Sequence, residues 1–314
     1  MNKFDGNYLS RLTGKLLGDG CITKQVSRQP RFQFIHRIED FEWSQYCYEQ
    51  LKDFLPLNPP TYKRVVDPRI QAGYAECYTV QSKTSTIITE LEKLWYNNRK
   101  KLLPLAFIND HLNEEALAWW YQDDGHLAQQ NNLPQKVVLS TDSFARNEHL
   151  ALQQILQDKF CLSFKLDGQK RLLLYDQPQI YYFLKLVEPY LQPCMYRKSI
   201  DTEQLQQPTE SKRTTIYLPE KLQLKKPTKE INSQLVYAYK IIHQLENRET
   251  FLNFYQFANS LTHDKHNQIS YQIILNEESR SLLQKIKQLS GWNQSQIAQL
   301  CFNKKLTNCT GNLA

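Results

Sequence analysis

Glycine is scarce in this chain, with nine in 314 residues, and the seven cysteines stand singly. No CxxC pair occurs among Cys21, Cys47, Cys77, Cys161, Cys194, Cys301 and Cys309. That spacing excludes the usual zinc ribbons and dithiol redox motifs and fits isolated thiols in a reducing compartment. No run of 18 apolar residues exists, which excludes a hydrophobic membrane-spanning helix. The opening MNKFDGNYLSRL lacks the apolar core of a secretory signal. A soluble, intracellular protein is expected, cytoplasmic in a prokaryote or organellar. Acidic residues are the minority, 32 against 39 Lys and Arg, for a formal charge of +7. A polyanionic partner is compatible with that balance but not selected by it. The length favours two domains.

Because glycine is rare, its clustering is informative: Gly14, Gly18 and Gly20 fall within seven residues. Residues 8–20 read as a helix ending at glycine, with Leu9, Leu12, Leu16 and Leu17 on helical spacing. Strands follow at 21–26 and 31–37, then a helix at 40–54, a hairpin of 61–66 with 75–81, and a helix at 84–96. The order then recurs: a helix at 112–123, strands at 126–129 and 136–140, and a helix at 145–160. A hairpin of 161–166 with 171–175 and a helix at 178–191 complete it. Each half reads α-β-β-α-β-β-α, and such a duplication implies a pseudo-two-fold α+β core.

The two opening helices carry Leu12-Thr13-Gly14-Lys15-Leu16-Leu17-Gly18-Asp19-Gly20 and Leu117-Ala118-Trp119-Trp120-Tyr121-Gln122-Asp123-Asp124-Gly125. Both place a carboxylate eighth and a glycine ninth. Gly14 and Gly18 share a helical face, which lets a second backbone approach. Side by side, such helices bring Asp19 and Asp124 together at their C-terminal ends. An aspartate is disfavoured there by roughly 0.3–1 kcal/mol, because the helix end carries partial negative charge. Two adjacent carboxylates also raise one another's pKa. A hard divalent cation reverses both penalties and suits in-line phosphodiester cleavage.

Both segments resemble the LAGLIDADG motif of homing endonucleases. The second resembles the W-x-x-D-D-G form of the single-chain, two-motif branch that includes the yeast mitochondrial omega-type enzyme. The resemblance spans about residues 5–200 and is most specific from 97 to 200, through VVLSTDSF and EPYLQPCMYRK. Lys15 departs from the pattern at a position that is usually apolar, and Trp119 replaces the usual glycine. The resemblance implies a duplicated αββαββα fold with two antiparallel DNA-binding sheets, in a monomer that cuts both strands of a long double-stranded DNA site. It makes Asp19 and Asp124 the metal-binding carboxylates and the carbonyls of Gly18 and Asp123 secondary ligands. Lys101 and Lys198, which repeat after the last helix of each half, would flank the metal and assist catalysis. Mg²⁺ is the implied ion, with Mn²⁺ expected to substitute and Ca²⁺ to support binding without cleavage.

In such a fold every second strand residue faces the major groove. Candidate contacts in the first half are Lys24, Arg28, Arg31, Gln33, Tyr62, Arg64, Arg69, Gln71 and Gln81. In the second they are Gln129, Lys136, Ser140, Lys165, Gln169, Lys170 and Arg171. The endonuclease core is expected over 1–204, with halves 1–100 and 101–204.

Residues 205–314 are expected to form a C-terminal accessory domain. Beyond Lys198 the stretch DTEQLQQPTESKR reads as a linker. Strands at 213–218 and 269–275 each precede helical sequence, at 229–245, then at 278–289 and 294–302. This order resembles tandem ribbon-helix-helix DNA-binding proteins; a small α-rich domain is the other reading. On the former, Arg213, Thr215, Tyr217, Ser270 and Gln272 face bases, and the last helix holds a phosphate near Asn293. Three functions remain open: DNA endonuclease, intron RNA maturase on the same scaffold, and a transcriptional regulator using the ribbon-helix-helix portion, which leaves the carboxylate pair unexplained. The retained Asp19 and Asp124 favour the first. An intein is disfavoured, since Met1 is no splice nucleophile and Gln268 follows His266-Asn267.

Overall fold

The computed structural model describes residues 6–69, 71–200, 211–262 and 267–303. The duplicated order is present. The first copy comprises α1 (Gly6–Leu17), β1 (Cys21–Thr23), β2 (Arg31–Arg37), α2 (Phe41–Leu51), β3 (Thr61–Val66), β4 (Tyr74–Gln81) and α3 (Thr86–Trp95). A two-residue hairpin, β5 (Tyr96–Asn97) and β6 (Lys100–Lys101), turns through Asn98 and Arg99, both with positive φ. After α4 (Leu105–His111), the second copy runs α5 (Glu114–Asp124), β7 (Gly125–Gln130), β8 (Leu133–Leu139), α6 (Arg146–Phe160), β9 (Lys165–Leu166), β10 (Leu172–Leu174) and α7 (Gln177–Val187). Two four-stranded sheets result, ordered β1-β2-β4-β3 and β7-β8-β10-β9. The expected α+β duplicated fold is what the chain adopts.

Local chemistry sets the helix limits. Asn113 caps α5 by accepting from the Ala116 amide at 2.9 Å, so the helix expected from 112 starts at Glu114, with α4 a separate element before it. Cys161 takes a left-handed conformation that terminates α6, which is why the expected strand 161–166 shrinks to Lys165–Leu166.

Helices α1 and α5 pack against each other through a glycine contact. A Cβ at Gly14 would collide with the Ala116 carbonyl oxygen and lie 2.7 Å from the Trp119 Cβ. Around this seam Leu12, Leu16, Ala116, Leu117, Trp119, Trp120 and Tyr121 are buried, as are Phe32, Phe34 and Trp43 beneath the first sheet.

Contacts divide the chain into two compact units. One takes the described chain to Ala128, Lys136–Leu174 and Leu186–Ile200; the other takes Gln129–Gln135, Tyr175–Lys185 and the described residues beyond 210. The division therefore falls elsewhere than 204/205, because α7 clusters with the C-terminal elements. Its Tyr182 ring stacks on Tyr255 at 4.0 Å, and a Cβ at Gly291 would lie 2.8 Å from the Tyr181 ring.

The second unit's remaining elements are β11 (Arg213–Pro219), α8 (Pro227–Leu235), α9 (Ala238–Glu246), α10 (Arg248–Thr262), β12 (Gln268–Ile274), α11 (Glu277–Ser290) and α12 (Gln294–Cys301). β11 and β12 pair antiparallel along seven residues, from Arg213↔Ile274 to Pro219↔Gln268. The single helix expected at 229–245 is two, α8 and α9. Asn247, in extended conformation, separates α9 from an unforeseen third helix, α10. Residues 201–210 of the expected linker lie outside the described residues. Among the described residues no helix is long and apolar enough to cross a membrane.

Candidate active site

α1 ends at Leu17, and the amides of Gly18 and Gly20 fold back on the carbonyls of Gly14 and Lys15 at 3.0 and 2.7 Å. Asp19 sits in that turn. Asp124 is the last residue of α5, its carbonyl accepting from the Ser140 amide at 3.1 Å. The seam between the helices brings the two motif ends together: the Asp19 amide donates to Asp123 Oδ2 at 3.1 Å.

The electrostatics match those expected of an acidic cation site. Burial, then the charge of Asp123, push Asp19 up to about 8, and the charge of Asp124 pushes the same way. Burial and Asp123 raise Asp124 to about 6. Each carboxylate thus holds its proton more tightly than usual, a penalty that a divalent cation would remove. Among the described residues Asp124 has no ion-pair partner, leaving its carboxylate available to an ion.

The lysines sit at the two motif ends. Lys101, carried by the β5–β6 hairpin, donates to the Gly20 carbonyl at 2.9 Å. Lys198 donates to the carbonyls of Tyr121, Gln122 and Asp123 at 3.1, 2.6 and 3.3 Å, capping α5. Burial lowers both, Lys198 to about 8. The Asp123 carbonyl, expected as a secondary metal ligand, is one of the oxygens that Lys198 engages.

Beneath this surface lies a buried polar node. Lys15 Nζ, fully buried, donates to Asp123 Oδ1 at 2.7 Å and to His36 Nε2 at 2.9 Å. Trp43 Nε1 donates to the same Oδ1 at 2.8 Å. His36 Nδ1 donates to Ser44 Oγ at 2.7 Å, and burial and then Lys15 lower His36 to about 4, keeping it neutral. Lys15 lies over the Phe34 and Trp43 rings at 4.4 and 5.1 Å, and Asp123 keeps it protonated against its burial. One oxygen or nitrogen each of Asp19, His36 and Asp123 lies within 4.8 Å of the others. The Asp123 carboxylate, however, already accepts from Lys15, Trp43 and the Asp19 amide.

A family model of the LAGLIDADG DNA endonuclease family matches residues 9–181, more than half of the chain. The chain belongs to this family. A relative, the cytochrome b mRNA maturase bI2 of Debaryomyces hansenii, is 31% identical over 62% of this chain and 74% of its own. An uncharacterised protein of Methanocaldococcus jannaschii is 29% identical over 60% of this chain and 71% of that one. The fold is that of the LAGLIDADG homing endonuclease I-WcaI bound to its DNA recognition sequence. The TM-score is 0.54 at 23% identity, covering 63% of this chain and 88% of that one.

Strand register sorts the candidate DNA contacts of this LAGLIDADG chain. Phe32, Phe34 and His36 of β2 are buried on the α2 side, so Arg31, Gln33, Ile35 and Arg37 occupy the opposite face. Gln33 pairs with Gln81, whose amide donates to Gln33 Oε1 at 2.9 Å, and Arg31 reaches Gln81 Oε1 at 3.4 Å. These three form one polar cluster. Tyr62 and Arg64 are a correction: they pair with Tyr78 and Glu76, in register with the inward His36. Tyr62 bonds Glu76 and Arg64 stacks on Tyr74 at 3.6 Å. Their neighbours Thr61, Lys63 and Val65 occupy the face of Arg31, because strand residues alternate.

Lys24 and Arg28 lie off the paired strands, Lys24 3.3 Å from Glu92. Arg69 pairs with Asp67 at 2.8 Å, and Gln71 is exposed in the same turn. In the second sheet Lys165 pairs with Leu173, opposite Val138, so Lys136, Ser140 and Lys165 share a face by parity. Arg171 is tied to Asp167 at 2.8 Å, while Gln169, Lys170 and Gln129 are exposed. His36 and Trp43 escape a search for surface contacts. The one available signal is a histidine at an inward parity of RFQFIHR.

In the second unit Arg213, Thr215 and Tyr217 face Ile274, Gln272 and Ser270 across the ribbon, while Ile216, Leu218 and Ile273 are buried on the other side. At α12, where a phosphate was expected, Asn293 and Gln296 cap each other at 3.0 and 2.9 Å, already using two of the amides there.

Proposed function

We propose that this chain hydrolyses both strands of one long, specific DNA duplex, with Mg²⁺ held between Asp19 and Asp124. The observation that carries this reading is the hydrogen bond from the Asp19 amide to Asp123, which holds the end of one motif helix against the residue beside Asp124. The bound ion would supply an activated water and a counter-charge for the phosphate oxygens. Asp19 and Asp124 would hold it from the two halves, and Lys101 and Lys198, at the two motif ends, would meet charge developing on the scissile phosphate. The face of the first sheet opposite α2, with Arg31, Gln33 and Gln81, and the face of the second with Lys136 and Lys165 lie against the major groove. The ribbon face of Arg213, Thr215, Tyr217, Ser270 and Gln272 adds contacts to the same duplex, and the protein acts as a monomer.

Asp19→Asn and Asp124→Asn test the assignment. Each should lose cleavage in Mg²⁺ yet retain target binding in Ca²⁺; cutting at the wild-type rate by either one refutes it. The maturase-named relative favours one second reading, binding of intron RNA by the same scaffold. Splicing of the host intron by the Asp19→Asn variant would support that activity.

A further inference from the structure

The node under the carboxylates is asymmetric between the halves. At the seventh motif position the second half has Asp123 and the first has Gly18; at the fourth, the first half has Lys15 and the second Trp120. The two differences interlock. Asp123 projects across the seam into the space left by Gly18, whose added Cβ would lie 2.5 Å from the Asp123 Cβ. Lys15 reaches the same carboxylate from the first half at 2.7 Å, with neither side chain exposed. The second oxygen of that carboxylate accepts from the amide of Asp19, while the backbone of Asp123 continues directly into Asp124.

We propose that Asp123 is a positioning residue: its side chain fixes the distance between Asp19 and Asp124 and is not itself a metal ligand, and Lys15 is the counter-ion that permits it there. The proposal rests on Asp19 and Asp124 as the metal-binding pair. Both oxygens of Asp123 are occupied, Oδ1 by Lys15 and Trp43 and Oδ2 by the Asp19 amide. One buried carboxylate therefore belongs by its backbone to one motif end and by its hydrogen bond to the other. His36, accepting from Lys15, completes the satisfaction of the ammonium. A lysine at a usually apolar motif position thereby acquires a purpose.

Removing Lys15 alone would leave a buried charge without its partner and destabilise the fold, which says nothing about positioning. Two double variants separate the roles. Lys15→Met with Asp123→Asn removes both charges but keeps an oxygen for the Asp19 amide, its NH₂ facing His36 Nε2. Lys15→Met with Asp123→Leu fills the same volume and offers the amide nothing. Both leave Trp43 without an acceptor, so that loss cancels in the comparison.

The Leu double variant should turn over target DNA more slowly than the Asn double variant by roughly tenfold or more, and bind Mn²⁺ correspondingly more weakly by electron paramagnetic resonance. Affinity for target DNA in Ca²⁺ should differ little between them. Equal cleavage and equal Mn²⁺ binding would reduce the pair to a structural salt bridge and overturn the proposal. Should either variant fail to fold, the wild-type protein decides. The Asp19 amide, in the turn beyond α1, should be protected from hydrogen exchange in the metal-free state, and exchange at the free-peptide rate overturns the proposal. Cleavage by Asp19→Asn would instead defeat the metal assignment, leaving the amide measurement intact.

Discussion

Gly18 and Asp123 compete for one volume: the Cβ that Gly18 lacks would come within 2.7 Å of Asp123 Oδ2. A methyl group there must displace a carboxylate that Lys15, Trp43 and the Asp19 amide all hold. Gly18→Ala should therefore cost about 1–3 kcal/mol, the usual range for overpacking a tight contact. Gly6→Ala, where an added Cβ meets nothing within 4 Å, is the control for a glycine replaced without a steric clash. Thermal denaturation of both variants checks this, and an unchanged melting temperature for Gly18→Ala would contradict the close approach.

Trp43 supplies one of the donors to the buried carboxylate. Trp43→Phe keeps an aromatic ring against Lys15 but removes the indole N–H. The expected loss is about 1–3 kcal/mol, as for a hydrogen bond to a charged group. Urea unfolding measures it; a change under a few tenths would show that Lys15 alone satisfies Asp123.

Metal-free stability should depend on pH with a definite sign. Asp19 and Asp124 titrate near 8 and 6 in the folded protein against an ordinary 3.8, so the folded state binds more protons between those limits. The stability they contribute is present in full below about pH 4 and is lost as pH rises through 6 and then 8. The melting temperature of the metal-free protein should thus fall between pH 5 and 8 more steeply than that of Asp19→Asn. Ca²⁺ should flatten the slope by replacing the proton. Parallel pH profiles for the two proteins would exclude a raised Asp19.

The ribbon makes its own prediction. Arg213→Ala with Gln272→Ala removes side chains that the register places on one exposed face. Affinity for a long duplex should fall by roughly 1–3 kcal/mol if one bidentate base contact is lost. Cleavage of a minimal core site should persist. A footprint of unchanged length and affinity would remove the ribbon from the interface.

DNA binding should also weaken with salt in proportion to the phosphates neutralised, with a log–log slope of about −0.9 per contact. A near-zero slope in filter binding would contradict extended backbone contact.

The architecture is legible where periodicity is strong. The alternation in RFQFIHR and the repeated carboxylate-glycine ending suffice to find the sheets and the motif helices. Tyr62 and Arg64 are misread because β3 is exposed along its whole length, so burial gives its parity no amphipathic signature; only pairing with β4 settles it. Helix α10 does carry a signal, with Phe251, Phe254, Tyr255 and Ala258 buried on i, i+3, i+4, i+7 spacing. The role of Lys15 is illegible in one dimension, because its partners His36, Trp43 and Asp123 converge only in the folded chain.

The unequal seventh and fourth positions make the two halves complementary rather than interchangeable. Two copies of the first half would leave each Lys15 without the carboxylate that now pairs with it; two copies of the second would leave each Asp123 without Lys15 and without the glycine that admits it. Each half therefore supplies at its motif end what the other half needs and lacks.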